Sequence, residues 1–198
     1  MKWYFPKIYC MGEIEENGTY ETAYLMEKGS CDIKKSFLDN NSKETNVRYC
    51  FEAARALQYL HRLGYVHRDV KPPNFVIMEA FEPTRHKVAK LIDFGLVHKY
   101  SQEEKTQSCE RSAGFGTQGY QPPESVAGNK ITFPSKLSRC YDTWAFAIVL
   151  LEGIFGMETP TSNISNLYGF INDTPEIVET RLTRHFSIKH EDDKQLIK

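Results

Sequence analysis

HRDVKPPNFVI, residues 67 to 77, sets a carboxylate (Asp69), an ammonium (Lys71) and an amide (Asn74) within six consecutive positions. Apolar runs bracket the stretch. LGYV before it and FVI after it read as short buried strands. Pro72 and Pro73 stiffen the connecting loop, so the three polar groups are held at a defined spacing. Such a loop is built for chemistry and not for packing.

Further along, Leu91-Ile92-Asp93-Phe94-Gly95 places a second carboxylate at the end of a strand. One acid can accept or orient a hydroxyl proton. The other, with the Asn74 amide oxygen, can hold Mg²⁺ against phosphate oxygens, and Lys71 can neutralise a transferring phosphoryl group. Phosphoryl transfer requires little beyond this positioning and charge stabilisation. GTQGYQPPE, 116 to 124, closes a polar, hydroxyl-rich stretch over 98–124 that reads as a long surface loop with a function of its own.

The bulk properties set the class. The chain has 198 residues, 40% hydrophobic and 26% charged, with a net charge of −1, as expected of one folded globular domain and not of a nucleic-acid or anionic-membrane binder. Pro6 and Lys7 interrupt the N-terminus before an apolar signal core can form, and the run from Trp144 to Leu151 is too short to span a bilayer. The expectation is an intracellular protein, cytoplasmic or nuclear, without membrane or nucleic-acid partners. Five cysteines, Cys10, Cys31, Cys50, Cys109 and Cys140, are scattered without a CxxC pair, which is the usage of reduced thiols and not of a disulfide or zinc framework.

Local signals order the elements. Residues 7–12 and 20–26 read as strands around the Glu16-Asn17-Gly18 turn. Asn41 or Ser42 caps a helix to about Leu63, with Cys50, Ala54, Leu57 and Leu60 on one face and Gly64 as its stop. GYVH, NFVIM and KVAKLID read as strands. YDTWAFAIVLLEG reads as a fully buried helix, and Asp173-Thr174-Pro175-Glu176 as a helix start. The sum is α+β.

These motifs together resemble the hinge and C-terminal lobe of a eukaryotic protein kinase. His67-Arg68-Asp69 with Asn74 is similar to the catalytic loop and Asp93-Phe94-Gly95 to the magnesium motif. Gln121-Pro122-Pro123-Glu124 stands where the family has Ala-Pro-Glu, Asp142-Thr143-Trp144 resembles the start of the central helix, and Tyr24 to Gly29 resembles the gatekeeper and hinge. Either tripeptide alone is a common accident; five motifs in order are not. The resemblance implies a protein-kinase-like fold over 1–198, with a remnant of the N-lobe sheet and hinge at 1–30 and a mostly helical C-lobe at 31–198.

Residue by residue, it implies Asp69, Lys71 and Thr117 as catalytic and Asn74 and Asp93 as magnesium ligands. Met26, Glu27, Gly29 and Val76 would lie around the adenine of ATP, and Asp142 would hold the catalytic-loop backbone. Lys71 and Thr117 resemble the serine/threonine type, whose substrate is a Ser or Thr hydroxyl of another protein. PNF at 73–75 and AGFGTQGY at 113–120 resemble the casein-kinase-one and tau-tubulin-kinase group, from which the PPE departs. Arg68 is expected to bind a phosphate on Thr106, Ser108 or Ser112 if the loop is phosphorylated.

The family's Gly-rich loop, strand Lys and helix Glu have no counterpart before Met26, and Arg181 and Arg184 are the candidates to pair Glu124. The sequence therefore reads as a kinase lacking part of its N-lobe. A noncatalytic kinase-like binding module and a small-molecule phosphotransferase are the other readings. A peptide platform like 116–124 argues against the last, and intact Asp69, Lys71, Asn74 and Asp93 argue against decay by point substitution.

Overall fold

The computed structural model describes residues 4–39, 42–79, 87–99, 109–111, 116–122, 131–133 and 137–156. Strands β1 (Ile8–Glu16) and β2 (Thr19–Met26) form an antiparallel hairpin. Asn17 and Gly18 both take positive φ, 53° and 79°, so the two-residue turn has the twist that suits right-handed strands. The strands are longer than expected at both sides of the turn, because Glu13, Glu15 and Glu16 join the ladder although they carry no apolar signal. Apart from the half-buried Ala23, the residues of both strands are exposed, among them Ile8, Met11, Tyr20 and Leu25.

A second sheet holds the functional loop. Strand β3 (Cys31–Asp32) pairs with β5 (Phe75–Glu79), which pairs with β6 (Lys87–Leu91), all antiparallel. Short β4 (Tyr65–Val66) pairs with β7 (His98–Lys99). Between β4 and β5, Pro72–Asn74 form one 3₁₀ turn, the form that two prolines with fixed φ favour.

Among the described residues, three α-helices surround these ribbons. α1 (Ile33–Leu38) starts at Asp32, whose carboxylate accepts from the Lys35 N–H at 2.9 Å. α2 (Lys43–Arg62) is capped by Ser42, with Glu44 in its first turn, and stops at Gly64, whose φ of 84° ends the helix. Its buried stripe runs through Cys50, Ala53, Ala56, Leu57 and Leu60. Ala54, expected on that face, is only half-buried, one residue off the stripe. α3 (Leu137–Phe155) begins before Tyr141 and is not buried all round: Thr143 and Ala147, four residues apart, form an open strip.

α2 and α3 pack on each other and on β5 and β6 around Ile33, Leu57, Phe75, Leu91 and Val149. Each such side chain contributes about 1.5–3 kcal/mol when fully buried. Gly153 permits the approach of α1 to α3, since a Cβ there would lie 2.5 Å from the Phe37 ring.

The expected surface loop over 98–124 is corrected in three places. Residues 98–99 belong to β7, and β8 (Cys109–Arg111) pairs with β9 (Ile131–Phe133). The end of the stretch folds inward, with Gly119, Tyr120 and Pro122 buried. Thr106, Ser108, Ser112, Glu124, Arg181, Arg184 and the helix start at Asp173 lie outside the described residues. No helix among the described residues is long and apolar enough to cross a membrane.

Candidate active site

Asp69 follows β4 by three residues and is 8% exposed. Its carboxylate is enclosed by donors. Oδ1 accepts from the Thr117 N–H at 2.8 Å and from the Thr117 hydroxyl at 2.7 Å. Oδ2 accepts from Lys71 Nζ at 2.7 Å and from Asn74 Nδ2 at 3.1 Å. Lys71 also donates to Thr117 Oγ1 at 2.7 Å, which closes a ring of Asp69, Lys71 and Thr117. Burial pushes the Asp69 carboxyl up, but the hydrogen bonds from Lys71, Thr117 and Asn74 and the Lys71 charge outweigh it and hold the group below the ordinary aspartate value. Asp69 is therefore ionised at neutral pH.

The backbone under the loop is fixed from behind. Asp142 on α3 is fully buried and accepts from the N–H of His67 at 2.7 Å and of Arg68 at 2.8 Å, with His61 Nε2 2.7 Å away. Arg68 takes φ of 66°, a left-handed conformation that is costly for a non-glycine residue and is held here by these bonds. Its Nε donates to Leu96 O at 2.7 Å, tying the catalytic loop to the segment after Asp93. Gly116, at φ 86°, lies against the same turn, where a Cβ would come 2.5 Å from Arg68 O.

Asn74 and Asp93 are brought together by the ladder. Asn74 O accepts from the Ile92 N–H at 2.9 Å, which extends the β5–β6 pairing by one step and sets Asp93 beside it. Asn74 directs its amide N–H groups to Asp69 O, at 2.8 Å, and Oδ2, which leaves the carbonyl Oδ1 as the oxygen not used by Asp69. Asp93 is exposed, with φ of 61° and a long contact from the Gly95 N–H at 3.4 Å. Two hard oxygen donors of this kind, completed by phosphate oxygens and water, fit Mg²⁺. Phe94, also exposed, lies edge-on to His67 with ring centres 5.7 Å apart and to Phe5 at 5.2 Å.

The residues expected around adenine form a second group. Gly29 sits directly on Val76: a Cβ at position 29 would lie 2.0 Å from Val76 Cγ1. Ser30 N–H donates to Ile77 O at 2.8 Å and holds this segment against β5. The Glu27 N–H is engaged by Lys7 O, and its carboxylate is bound by Lys90 Nζ at 2.7 Å, a pair nearly closed to solvent. Met26 remains more open, opposite Ile8.

Sequence reasoning missed His61 behind Asp142, Lys90 behind Glu27, and Glu152, which bonds Tyr120 and Lys34. Lys90 had a local signal, an ammonium at a buried position of KVAKLID. The others had none.

The matching family model is that of the protein kinase domain, over residues 6–197. The chain belongs to the protein kinase family. Among its relatives, a probable receptor-like protein kinase of Arabidopsis thaliana is 36% identical over 153 residues, 73% of this chain and 16% of the relative. The dual specificity protein kinase Ttk of Danio rerio is 29% identical over 161 residues, 77% of this chain and 15% of the relative. The chain thus spans about a sixth of the length of these curated relatives. A chain in the crystal structure of the yeast RNA Pol II CTD kinase CTDK-1 complex superposes with a TM-score of 0.56 at 20% identity, covering 79% of this kinase domain and 46% of that chain. That likeness is one of fold, and it agrees with the α+β protein-kinase-like architecture described above.

Proposed function

We propose that this kinase domain transfers the γ-phosphoryl group of ATP to a serine or threonine hydroxyl of a protein substrate. The observation that carries the reading is the Asp69 carboxylate, held ionised by Lys71, Thr117 and Asn74 next to two oxygen donors suited to magnesium. Asn74 Oδ1 and the Asp93 carboxylate would hold the cation, and Gly29, Val76 and the Glu27 carbonyl, with Met26, would hold the adenine. Bound magnesium supplies charge neutralisation at the phosphate oxygens.

The chain's own groups define the rest. A carboxylate held below its ordinary pKa is a weak base at neutral pH, so Asp69 chiefly orients the acceptor hydroxyl toward the phosphorus and takes its proton late. Lys71 lies 2.7 Å from Asp69 Oδ2 and can follow the charge that develops on the transferring group. Thr117, bonded to both, fixes the pair and lines the place where a peptide hydroxyl would enter.

Residues 1–198 would carry the acceptor and metal groups of the machinery. The resemblance of AGFGTQGY to the casein-kinase-one and tau-tubulin-kinase group remains a proposal on the subgroup.

The test is transfer of labelled γ-phosphate from ATP and Mg²⁺ to a degenerate peptide pool, using the chain joined to a kinase N-lobe. Label on Ser or Thr that disappears in Asp69→Asn supports the reading. Transfer unchanged in that variant overturns it, and nucleotide-independent peptide binding without transfer favours a noncatalytic module.

A further inference from the structure

We propose that Lys34 is a positioning residue for the acceptor site, acting through Glu152 and Tyr120 on the turn that presents Thr117 to Asp69. The inference rests on the role proposed above for Asp69 and Thr117, and its geometry stands independently of it.

Glu152 lies on α3 and is 4% exposed. A buried carboxylate is retained only with partners. Oε2 is 2.5 Å from Lys34 Nζ on α1, and Oε1 accepts from the Tyr120 hydroxyl at 2.6 Å. One carboxylate thus joins a surface lysine, whose side chain is 33% exposed, to a tyrosine buried under the segment 116–122. From Tyr120 the connection continues through backbone. Its N–H donates to Thr117 O at 3.1 Å, closing a tight turn. The next residue, Gln121, donates from Nε2 to Gly116 O at 3.1 Å. The turn delivers both the N–H and the hydroxyl of Thr117 to Asp69 Oδ1.

The charge on Lys34 is what gives this chain of contacts direction. Lys34 holds one oxygen of the Glu152 carboxylate while the other accepts from Tyr120, so the two contacts together set how the carboxylate is oriented. Without it, one of the contacts that orient this buried carboxylate is lost, and Tyr120 is bound by a carboxylate held less firmly in place. Tyr120 then loosens, and with it the turn. Because the Thr117 contacts to Asp69 are short and directional, a shift of less than 1 Å at the turn breaks them. α1 therefore reports into the active site through two side-chain contacts and one backbone turn.

The experiment uses the full chain and needs no nucleotide. Amide hydrogen exchange at Thr117 and Tyr120 is compared in wild type, Lys34→Met and Lys34→Arg, with the α2 amides as an internal reference. Met keeps the length and removes the charge. Exchange at the two amides accelerated about tenfold in Lys34→Met, unchanged in Lys34→Arg and unchanged in α2, is the result expected for a site opening that is local. Unaltered exchange at both amides, or uniform acceleration across α2 as well, overturns the proposal.

Tyr120→Phe removes the downstream bond without touching the Lys34–Glu152 pair. It should reproduce the effect, and it serves if Lys34→Met does not fold. Normal exchange at Thr117 in a folded Tyr120→Phe chain also overturns the proposal. In the N-lobe-joined kinase, Lys34→Met should lower kcat about tenfold with the KM for ATP unchanged. If exchange responds as expected while Asp69→Asn leaves transfer intact, the positional relay stands and the catalytic reading fails.

Discussion

His61 Nε2 and Asp142 Oδ2 meet at 2.7 Å between α2 and α3, and the same carboxylate holds the backbone N–H groups of His67 and Arg68. The last turn of one helix and the first half of another thus converge on the peptide that precedes Asp69. One buried carboxylate thereby ties the 67–69 backbone to both helices.

Removing that lock should cost both stability and loop geometry. Asp142→Ala leaves two buried N–H donors without an acceptor, each worth about 1–3 kcal/mol. We expect a loss of about 3 kcal/mol or more in urea unfolding, larger than for His61→Ala, which leaves Asp142 its two backbone donors.

Asp69 should contribute a pH-dependent share of stability. Its folded-state carboxyl is held below the ordinary value, so the stabilisation is present above the unfolded pKa and is lost as pH falls through the lower folded value. Urea midpoints of wild type and Asp69→Asn should differ at pH 7 and converge as pH drops below about 4, where unfolded aspartates take up protons. A constant gap between the two proteins would contradict the assignment.

Asp93→Asn should separate folding from activity. The side chain is exposed and bears only a long contact to Gly95, so the unfolding midpoint should stay within about 0.5 kcal/mol of wild type. Phosphoryl transfer by the N-lobe-joined kinase should fall by at least about 100-fold, with the magnesium requirement moved to higher concentration.

Gly116→Ala places a methyl group 2.5 Å from Arg68 O at φ 86°. Strain of about 1–3 kcal/mol is expected. It should appear as faster proteolysis at 116–122 before global unfolding.

Thiol chemistry should follow burial. Burial pushes the Cys50 thiol up to about 12, whereas Cys10 and Cys140 are exposed. Peptide mapping after brief alkylation at pH 8 should find label on Cys10 and Cys140, and on Cys50 only after denaturation.

What could be read from the chain was what is fixed over short distances. Asn17-Gly18 set the hairpin, Ser42 and Gly64 bounded α2, and two prolines fixed the spacing from Asp69 to Asn74. α1 was overlooked because six residues, IKKSFL, are too few to show a period. α3 was read as wholly buried because Thr143 and Ala147 do not mark an open face by their chemistry. Glu152 was hidden for a different reason. Its partners lie 118 and 32 residues away, and only the folded chain brings Lys34 and Tyr120 to it.

The single backbone bond from Ile92 to Asn74 has a consequence for how this sequence can vary in length. It places position 74 one step beyond the Phe75–Leu91 pair, so strand register alone decides which side chain stands beside Asp93. Extra residues between Glu79 and Lys87 leave that register untouched. Deleting one residue inside 75–79 turns every following side chain to the opposite face and sets the wrong position against Ile92. Length polymorphism should therefore be tolerated on one side of Glu79 and be lethal to the site on the other.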